Sequence, residues 1–119
     1  MQKVVITGHD LTVDQIIAVC REGAEVVLSD ESREKILASR QVVNELVEER
    51  KVVYGITTGF GKFSDVVISQ DECKLLQKNL IITHAVGAGD PFKEDIARGI
   101  LLLRVNSLSN GFSGICLET

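Results

Sequence analysis

The chain has one tyrosine, Tyr54, and it stands on a glycine-rich stretch that includes Gly55, Gly59 and Gly61. Glycine permits backbone turns that other residues resist, and loops of this kind carry function more often than packing. A phenol on such a loop can serve as a general base when its surroundings favour the phenolate, for example through nearby helix N-termini. The structural alternative is a half-buried tyrosine whose hydroxyl bonds to a backbone carbonyl.

His84 is the second side chain that could do chemistry. It follows Leu76 and Leu80 at four-residue spacing, so the three share one stripe near the predicted end of a helix. A single histidine on such a stripe is more often a hydrogen-bonded core residue than a ligand. His9, the only other histidine, lies in a predicted turn, and the sequence therefore predicts no metal site.

The glycine-rich stretch has a rival explanation as a phosphate-binding loop. Gly59-x-Gly61-Lys62 matches part of the P-loop pattern. However, Ile56 stands where the first glycine is required, and Phe63 replaces the Ser or Thr that binds magnesium. Nucleotide binding is therefore disfavoured.

Composition narrows the class of protein. The 119 residues are 45% apolar with a net charge of -4, which predicts a single globular domain over residues 1–119 without a nucleic-acid surface. The apolar runs are far too short to span a membrane, and no secretory signal is visible. The cysteines are odd in number and widely spaced, which predicts reduced thiols in a cytoplasmic protein. They are Cys20, Cys73 and Cys116.

The elements that must position these residues are mostly helical. Two short β-branched segments, residues 3–6 and 25–28, are predicted to be strands that pair across an intervening helix. That helix is expected to begin at Thr12, because Thr12-x-x-Gln15 has the pattern of a capping box, and to stop at Gly23.

Two further helices are predicted to flank the tyrosine. The first runs from about residue 31 to residue 51, since apolar side chains recur at helical spacing while its glutamates face water. The second opens at Ser69, whose partner in another capping box is Glu72. It carries His84 and is expected to end at Gly87.

The last helix is predicted to open at Asp90-Pro91, with the proline at its first position, and to stop at Asn110-Gly111. Arg104 is expected to pair with a carboxylate or a backbone group, and Asn106 to satisfy backbone groups at the helix end. Four apolar residues of this helix are expected to be mostly buried: Ile96, Ile100, Leu103 and Leu108.

Three segments resemble the aromatic amino acid ammonia-lyases, and the histidine enzymes above all. Residues 54–61, Tyr-Gly-Ile-Thr-Thr-Gly-Phe-Gly, resemble the tyrosine loop of these enzymes. Residues 83–89 resemble their Ser-His-Ala-x-Gly-x-Gly segment, with Thr83 in place of the serine. Residues 106–114 resemble their Asn-(Ser/Ala)-Leu-x-x-Gly-(Phe/Tyr)-Ser-Gly segment. Together the resemblance covers the chain from about Val52 to its end.

This resemblance implies a fold and a set of roles. The implied fold is mainly α, the helical N-terminal domain of the aspartase/fumarase-like lyase superfamily with two short N-terminal strands. Tyr54 would remove a β-proton from the substrate, and His84 would bind or orient the substrate beside an electrophile. Gly59 and Gly61 would position the loop. Phenylalanine enzymes resemble Phe-Leu and tyrosine enzymes His-Leu where this chain has Thr83-His84, so the implied reaction converts L-histidine to trans-urocanate and ammonia.

The resemblance also implies parts that the chain lacks. The family builds its electrophile, a methylidene-imidazolone (MIO) group, by cyclising an internal Ala-Ser-Gly, and this tripeptide is absent. Ser113-Gly114 follows Phe112 and belongs to another segment, while no external cofactor or metal is implied. The family also has a long central helical bundle and forms homotetramers with shared active sites. We therefore expect a fragment that is inactive alone and self-associates through residues 100–117.

Two alternatives stay open. The first is a tyrosine or phenylalanine ammonia-lyase or an aminomutase of the same family, which substrate profiling would distinguish. The second is a stand-alone, non-catalytic module that binds a lyase subunit or another partner. An open reading frame with Ala-Ser-Gly beyond Thr119 would argue against the module.

Overall fold

The computed structural model describes residues 2–59, 61–63 and 66–119. It is mainly helical with one two-stranded sheet, which confirms the predicted fold class. The elements in chain order are β1 (Lys3–Ile6), α1 (Val13–Glu22), β2 (Glu25–Leu28), α2 (Asp30–Glu48), a short 3-10 helix (Gly61–Phe63), α3 (Gln70–His84) and α4 (Glu94–Leu108). Among the described residues, no helix combines the length and apolar character needed to cross a bilayer.

The chain divides into two compact units. One comprises the residues up to Gln41 together with Asp90–Thr119, and the other comprises Val42–Gly89. Helix α2 begins in the first unit and ends in the second. The single domain expected for residues 1–119 stays a prediction.

The first unit is built on a β-α-β arrangement. Strands β1 and β2 are parallel, with Lys3 opposite Glu25 and Ile6 opposite Leu28, and α1 provides the crossover that a parallel pair requires. Helix α1 begins as expected, because the Thr12 and Gln15 side chains cap each other's backbone amides. The predicted strands and the first capping box are thereby confirmed.

Helix α4 packs against α1 and completes the core of the first unit. Leu102 of α4 joins the buried residues Val4, Ile6 and Val19. The prediction that Ile96, Ile100 and Leu103 are mostly buried is wrong, because all three are about half exposed or more, and Leu108 is only half-buried. The cause is that α4 is apolar on more than one side, so the position of α1 selects the buried face.

Helix α4 begins later than the sequence predicted and stops where it was predicted to stop. Pro91 is not its first residue: the helix begins at Glu94, and the extended backbone of Lys93 (φ −58°, ψ 149°) marks its start. The predicted stop is confirmed, since Ser109 caps the helix and Gly111 has φ 72°. Helix α2 likewise ends at Glu48, earlier than predicted, and Arg50 follows in the left-handed region (φ 54°).

Asn106 and Asn110 hold the turn that follows β1. Gly8 N–H donates to Asn106 Oδ1 at 3.1 Å, and Asn110 Nδ2 donates to the Gly8 carbonyl at 3.0 Å. Asn106 therefore satisfies a backbone group as expected, although that group belongs to Gly8 rather than to the end of α4.

Candidate active site

Helix α3, which carries His84, is fixed at its start by the second predicted capping box. The Ser69 amide donates to Glu72 Oε2 at 2.9 Å, and the Glu72 amide donates to Ser69 Oγ at 3.4 Å. The Ser69 hydroxyl also donates to Glu72 Oε2 at 2.7 Å. These hydrogen bonds from the hydroxyl and the amide lower the pKa of the Glu72 carboxyl, because they favour its charged form.

Tyr54 lies in a tight turn between α2 and α3. The Val53 carbonyl accepts from Ile56 N–H at 3.1 Å and from Thr57 N–H at 3.0 Å, and Gly55 takes a φ of 73°. Tyr54 is 62% exposed, and its phenolic oxygen lies 3.4 Å from the Gly61 amide, which donates to it. A mostly exposed phenol differs from the half-buried structural tyrosine and is accessible to a ligand.

The base of the tyrosine loop is anchored by a short antiparallel pairing. Gly59 N–H donates to the Val66 carbonyl at 3.2 Å, and Ile68 N–H donates to the Thr57 carbonyl at 3.2 Å. Thr58 and Val67 form the bridge between these two bonds. These hydrogen bonds therefore fix the backbone at the base of the loop that carries Tyr54.

The glycines expected to position the loop are both in the described part of it. Gly61 has φ 56°, a conformation that residues with a Cβ rarely adopt, and it opens the 3-10 helix. Gly59 is buried at the base of the loop. Phe60, between them, lies outside the described residues, and the positioning role of both glycines stays a prediction.

His84 is the last residue of α3 and its side chain is exposed. Its Nδ1 lies 2.9 Å from the Leu80 carbonyl oxygen and 3.2 Å from Thr83 Oγ1. A carbonyl can only accept, so in this contact Nδ1 carries the proton and Nε2 is the nitrogen that remains available to a ligand. Tyr54 and His84 belong to the same compact unit. Both side chains are exposed to solvent.

A cavity of about 450 Å³ also lies in the second unit. It runs beside the base of the loop and the start of α3, and neither Tyr54 nor His84 lines it. The lining residues are Val47, Glu48, Arg50, Thr57, Val67, Ile68, Ser69 and Cys73. Among the described residues, no group of three or more His, Cys, Asp or Glu side chains could hold a metal ion.

The residues around Ser113-Gly114 do not fit the precursor of an MIO group. Phe112 precedes them instead of alanine. The Gly114 amide donates to Ser39 Oγ at 2.9 Å, and Arg40 Nη1 donates to the Gly114 carbonyl at 3.1 Å. Gly114 therefore binds the C-terminal segment to α2 through these two hydrogen bonds. No chemical step is assigned to an MIO group formed from these residues.

Sequence reasoning missed Thr57 and Thr58 as functional candidates. Both are buried, with 4% and 1% of their surface exposed, and each hydroxyl bonds to the backbone of the loop. The signal available in the sequence was two adjacent hydroxyl side chains within the glycine-rich stretch beside the only tyrosine.

Comparison with protein families identifies the chain. The model of the family described as aromatic amino acid lyase matches residues 11–119. The chain belongs to this family. Among curated relatives, the histidine ammonia-lyase of Alkaliphilus oremlandii is 57% identical over 119 residues, which is all of this chain and 24% of the relative. That of Caldanaerobacter subterraneus is 56% identical over 119 residues, or 23% of the relative.

Three solved structures with 29% or more identity to this chain share its fold. Histidine ammonia-lyase from Trypanosoma cruzi gives a TM-score of 0.91 at 42% identity, covering 98% of this chain and 23% of that one. Tyrosine aminomutase from Streptomyces globisporus gives 0.87 at 34% identity, covering 95% and 22%. Ergothionase from Treponema denticola gives 0.92 at 29% identity, covering 98% and 24%. The chain therefore spans about a quarter of the length of its relatives.

Proposed function

We propose that the chain is the N-terminal portion of a histidine ammonia-lyase, which eliminates ammonia from L-histidine to give trans-urocanate. The observation that carries the proposal is identity of 56–57% to two histidine ammonia-lyases over all 119 residues. The exposed Tyr54 and His84 supply side chains of the types that this chemistry uses, within one compact unit.

The proposed roles follow from the chemistry of the two side chains. Elimination requires that the β-carbon lose a proton and the α-carbon lose its amino group, while a carbon–carbon double bond forms. The Tyr54 phenolate would take the β-proton, which is the work of a general base. The His84 Nε2 would bind the substrate and orient it.

The electrophile would have to come from residues outside this chain. An MIO group, formed from an Ala-Ser-Gly that these 119 residues lack, would make the amino group of the substrate a better leaving group. Our proposal for this chain is therefore limited to proton removal and substrate binding, and the chain alone is expected to be inactive.

Assembly and location form part of the proposal. Helix α4 exposes a face that includes Ile100, Leu101 and Leu103, and exposed apolar faces of this kind mark contact surfaces. This supports subunit association in the longer protein, for which the family resemblance implies a homotetramer, and self-association for the 119-residue chain. The three cysteines are free, as expected for a protein of the reducing cytoplasm.

A second candidate function is supported by the likeness to tyrosine aminomutase, at 34% identity. An aminomutase would use the same tyrosine base on a different amino acid. Thr83-His84 argues for histidine, since tyrosine enzymes resemble His-Leu at these positions. A non-catalytic module is the remaining alternative.

A chimera provides the test. Residues 1–119 are joined to the remaining three quarters of the Alkaliphilus oremlandii relative, and urocanate formation from L-histidine is followed by ultraviolet absorbance. The 119-residue chain and the unmodified relative are measured in parallel. We expect turnover by the chimera and none by the 119-residue chain.

The substrate profile of the chimera separates the alternatives. Faster turnover of L-tyrosine or L-phenylalanine than of L-histidine would replace the histidine proposal with the second candidate. A folded, assembled chimera without activity on any of the three would favour the non-catalytic module, provided that the unmodified relative is active.

A further inference from the structure

We infer that Thr57 and Thr58 are positioning residues for Tyr54, because their hydroxyls bind the backbone on both sides of the tyrosine. The geometric part of this inference concerns the loop itself. Its consequence for catalysis rests on the proposed function, in which Tyr54 is the base.

Thr57 holds the residue before the tyrosine. Its hydroxyl accepts a hydrogen bond from Val53 N–H at 2.9 Å and donates to the Lys51 carbonyl through a short contact. One hydroxyl thus bridges two backbone groups of the segment that leads into the loop. At 4% exposure the side chain is shielded, and water cannot easily replace these bonds.

Thr58 holds the residue after the tyrosine. Its hydroxyl accepts from Gly55 N–H at 3.3 Å and donates to the Gly59 carbonyl at 3.0 Å. The side chain is 1% exposed. Gly55 has φ 73°, so this bond acts on the peptide where the chain reverses direction.

The two threonines are themselves fixed. The Thr57 backbone carbonyl accepts from Ile68 N–H, and Thr58 forms the β-bridge with Val67. Their hydroxyls therefore transmit the position of the loop base to Val53 and Gly55. Tyr54 lies between these two residues.

An exposed side chain depends on its backbone for its position. Tyr54 is 62% exposed, so the direction of its Cα–Cβ bond, which the loop backbone sets, is an important determinant of where its phenol lies. A catalytic base must lie within hydrogen-bond reach of the proton that it removes. The paired hydroxyls would supply the required backbone geometry before a substrate binds.

The geometric part can be tested in the 119-residue chain without any activity. The chain has one tyrosine and no tryptophan, so its tyrosine emission comes from Tyr54 alone. Time-resolved fluorescence anisotropy is measured for the wild type, Thr57→Val and Thr58→Val. Thr57→Ser and Thr58→Ser are the matched controls, because serine keeps the hydroxyl whereas valine keeps the shape.

We expect each valine variant to increase the amplitude of local Tyr54 motion, and each serine variant to stay close to the wild type. Equal anisotropy decays in folded valine and serine variants would overturn the inference. Far-UV circular dichroism verifies the fold of each variant.

If a valine variant does not fold, amide hydrogen exchange of the wild-type chain still tests the two hydrogen bonds. In the wild-type chain, the Val53 and Gly55 amides should exchange more slowly than in an unfolded peptide, since both donate to threonine hydroxyls. Exchange of both amides at the unfolded rate would contradict the proposed hydrogen bonds.

The catalytic consequence is measured in the chimera. Thr57→Val should lower kcat for L-histidine by about tenfold or more, with KM changed far less, because misplacing a catalytic group affects the chemical step most. Thr57→Ser should restore most of kcat. Unchanged kcat in a folded valine variant would overturn the catalytic consequence. An inactive unmodified chimera would instead count against the proposed function, and the anisotropy result would still decide the geometry.

Discussion

Asn110 donates from Nδ2 to the carbonyl of Gly8 at 3.0 Å, across 102 residues of sequence. Gly8 has φ 93°, and a Cβ at this position would lie 2.7 Å from Asn110 Oδ1. The positive φ favours glycine, and the Asn110 side chain would have to shift to admit a Cβ at this position. The end of α4 and the turn after β1 therefore hold one another, and this contact closes the first unit.

Replacing Gly8 should destabilise the first unit more than a positive φ alone explains. Gly8→Ala should cost about 3 kcal/mol, combining about 1–2 kcal/mol for the left-handed backbone with the loss of asparagine hydrogen bonds. Gly23→Ala is the control, because Gly23 has φ 73° but nothing within 4 Å of its Cβ position. Urea unfolding of both variants measures the difference, and equal losses of stability would show that the contact with Asn110 is unimportant.

The buried face of α4 can be tested with two neighbouring leucines. Leu102→Ala should lower the free energy of unfolding by about 2–5 kcal/mol, since it leaves a cavity among Val4, Ile6 and Val19. Leu101, which is 66% exposed, should tolerate alanine within about 0.5 kcal/mol. Thermal or urea unfolding provides the measurement. A larger effect at Leu101 would mean that a different face of α4 meets the core.

Short-range signals in the sequence predicted much of this fold. The two capping boxes, which begin at Thr12 and Ser69, and the stop at Gly23 are confirmed, because each depends on a few adjacent residues and on backbone geometry. The buried face of α4 depends on α1, far away in sequence, and for this reason Leu103 was predicted to be buried whereas Leu102 is the buried residue. Pro91 has the right chemistry for a first helical residue, yet its presence does not oblige the helix to begin there.

In the candidate site, too, some residues could be predicted from the sequence and others could not. Tyr54 and His84 could be proposed from residue type, spacing and resemblance, because few other side chains in the chain suit the chemistry. The positioning roles that we infer for Thr57 and Thr58 could not, since they depend on which amides the loop brings to each hydroxyl. That path is set by the pairing with residues 66–68.

The start of α3 should become less stable in acid. The Glu72 carboxyl has its pKa lowered from 4.5 by hydrogen bonds from Ser69. A lowered folded-state pKa means that its stabilisation is fully present above pH 4.5 and is lost as the pH falls through the lowered value. Hydrogen exchange of the first α3 amides, measured at neutral pH and near pH 3, should show weaker protection in acid.

Glu72→Gln is the matched control for this effect, because Gln15 makes the same capping box in α1 without a titrating group. The glutamine variant should lose less protection on acidification than the wild type. The same loss in both proteins would assign the acid effect to other groups.

The exposed apolar side of α4 should cause self-association of the 119-residue chain. Ile100→Ser combined with Leu103→Ser should shift the association to higher protein concentration, because it removes exposed apolar area from this side. Val13→Ser is the control, as Val13 is an exposed apolar residue on α1. Sedimentation velocity over a concentration series measures the effect. A strictly monomeric wild type, or an equal shift from Val13→Ser, would contradict the assignment to α4.

The proposed elimination depends most on Tyr54 as the base, and the Tyr54→Phe chimera tests this role most directly. Phenylalanine keeps the ring and removes the oxygen, so kcat for L-histidine should fall by about 100-fold or more while KM changes little. Urocanate absorbance gives the rate, and the chimera with Tyr54 intact is the reference. A loss of that size, in a variant with normal fold and assembly, is the predicted result. A Tyr54→Phe chimera that retains its kcat would show that another group removes the proton.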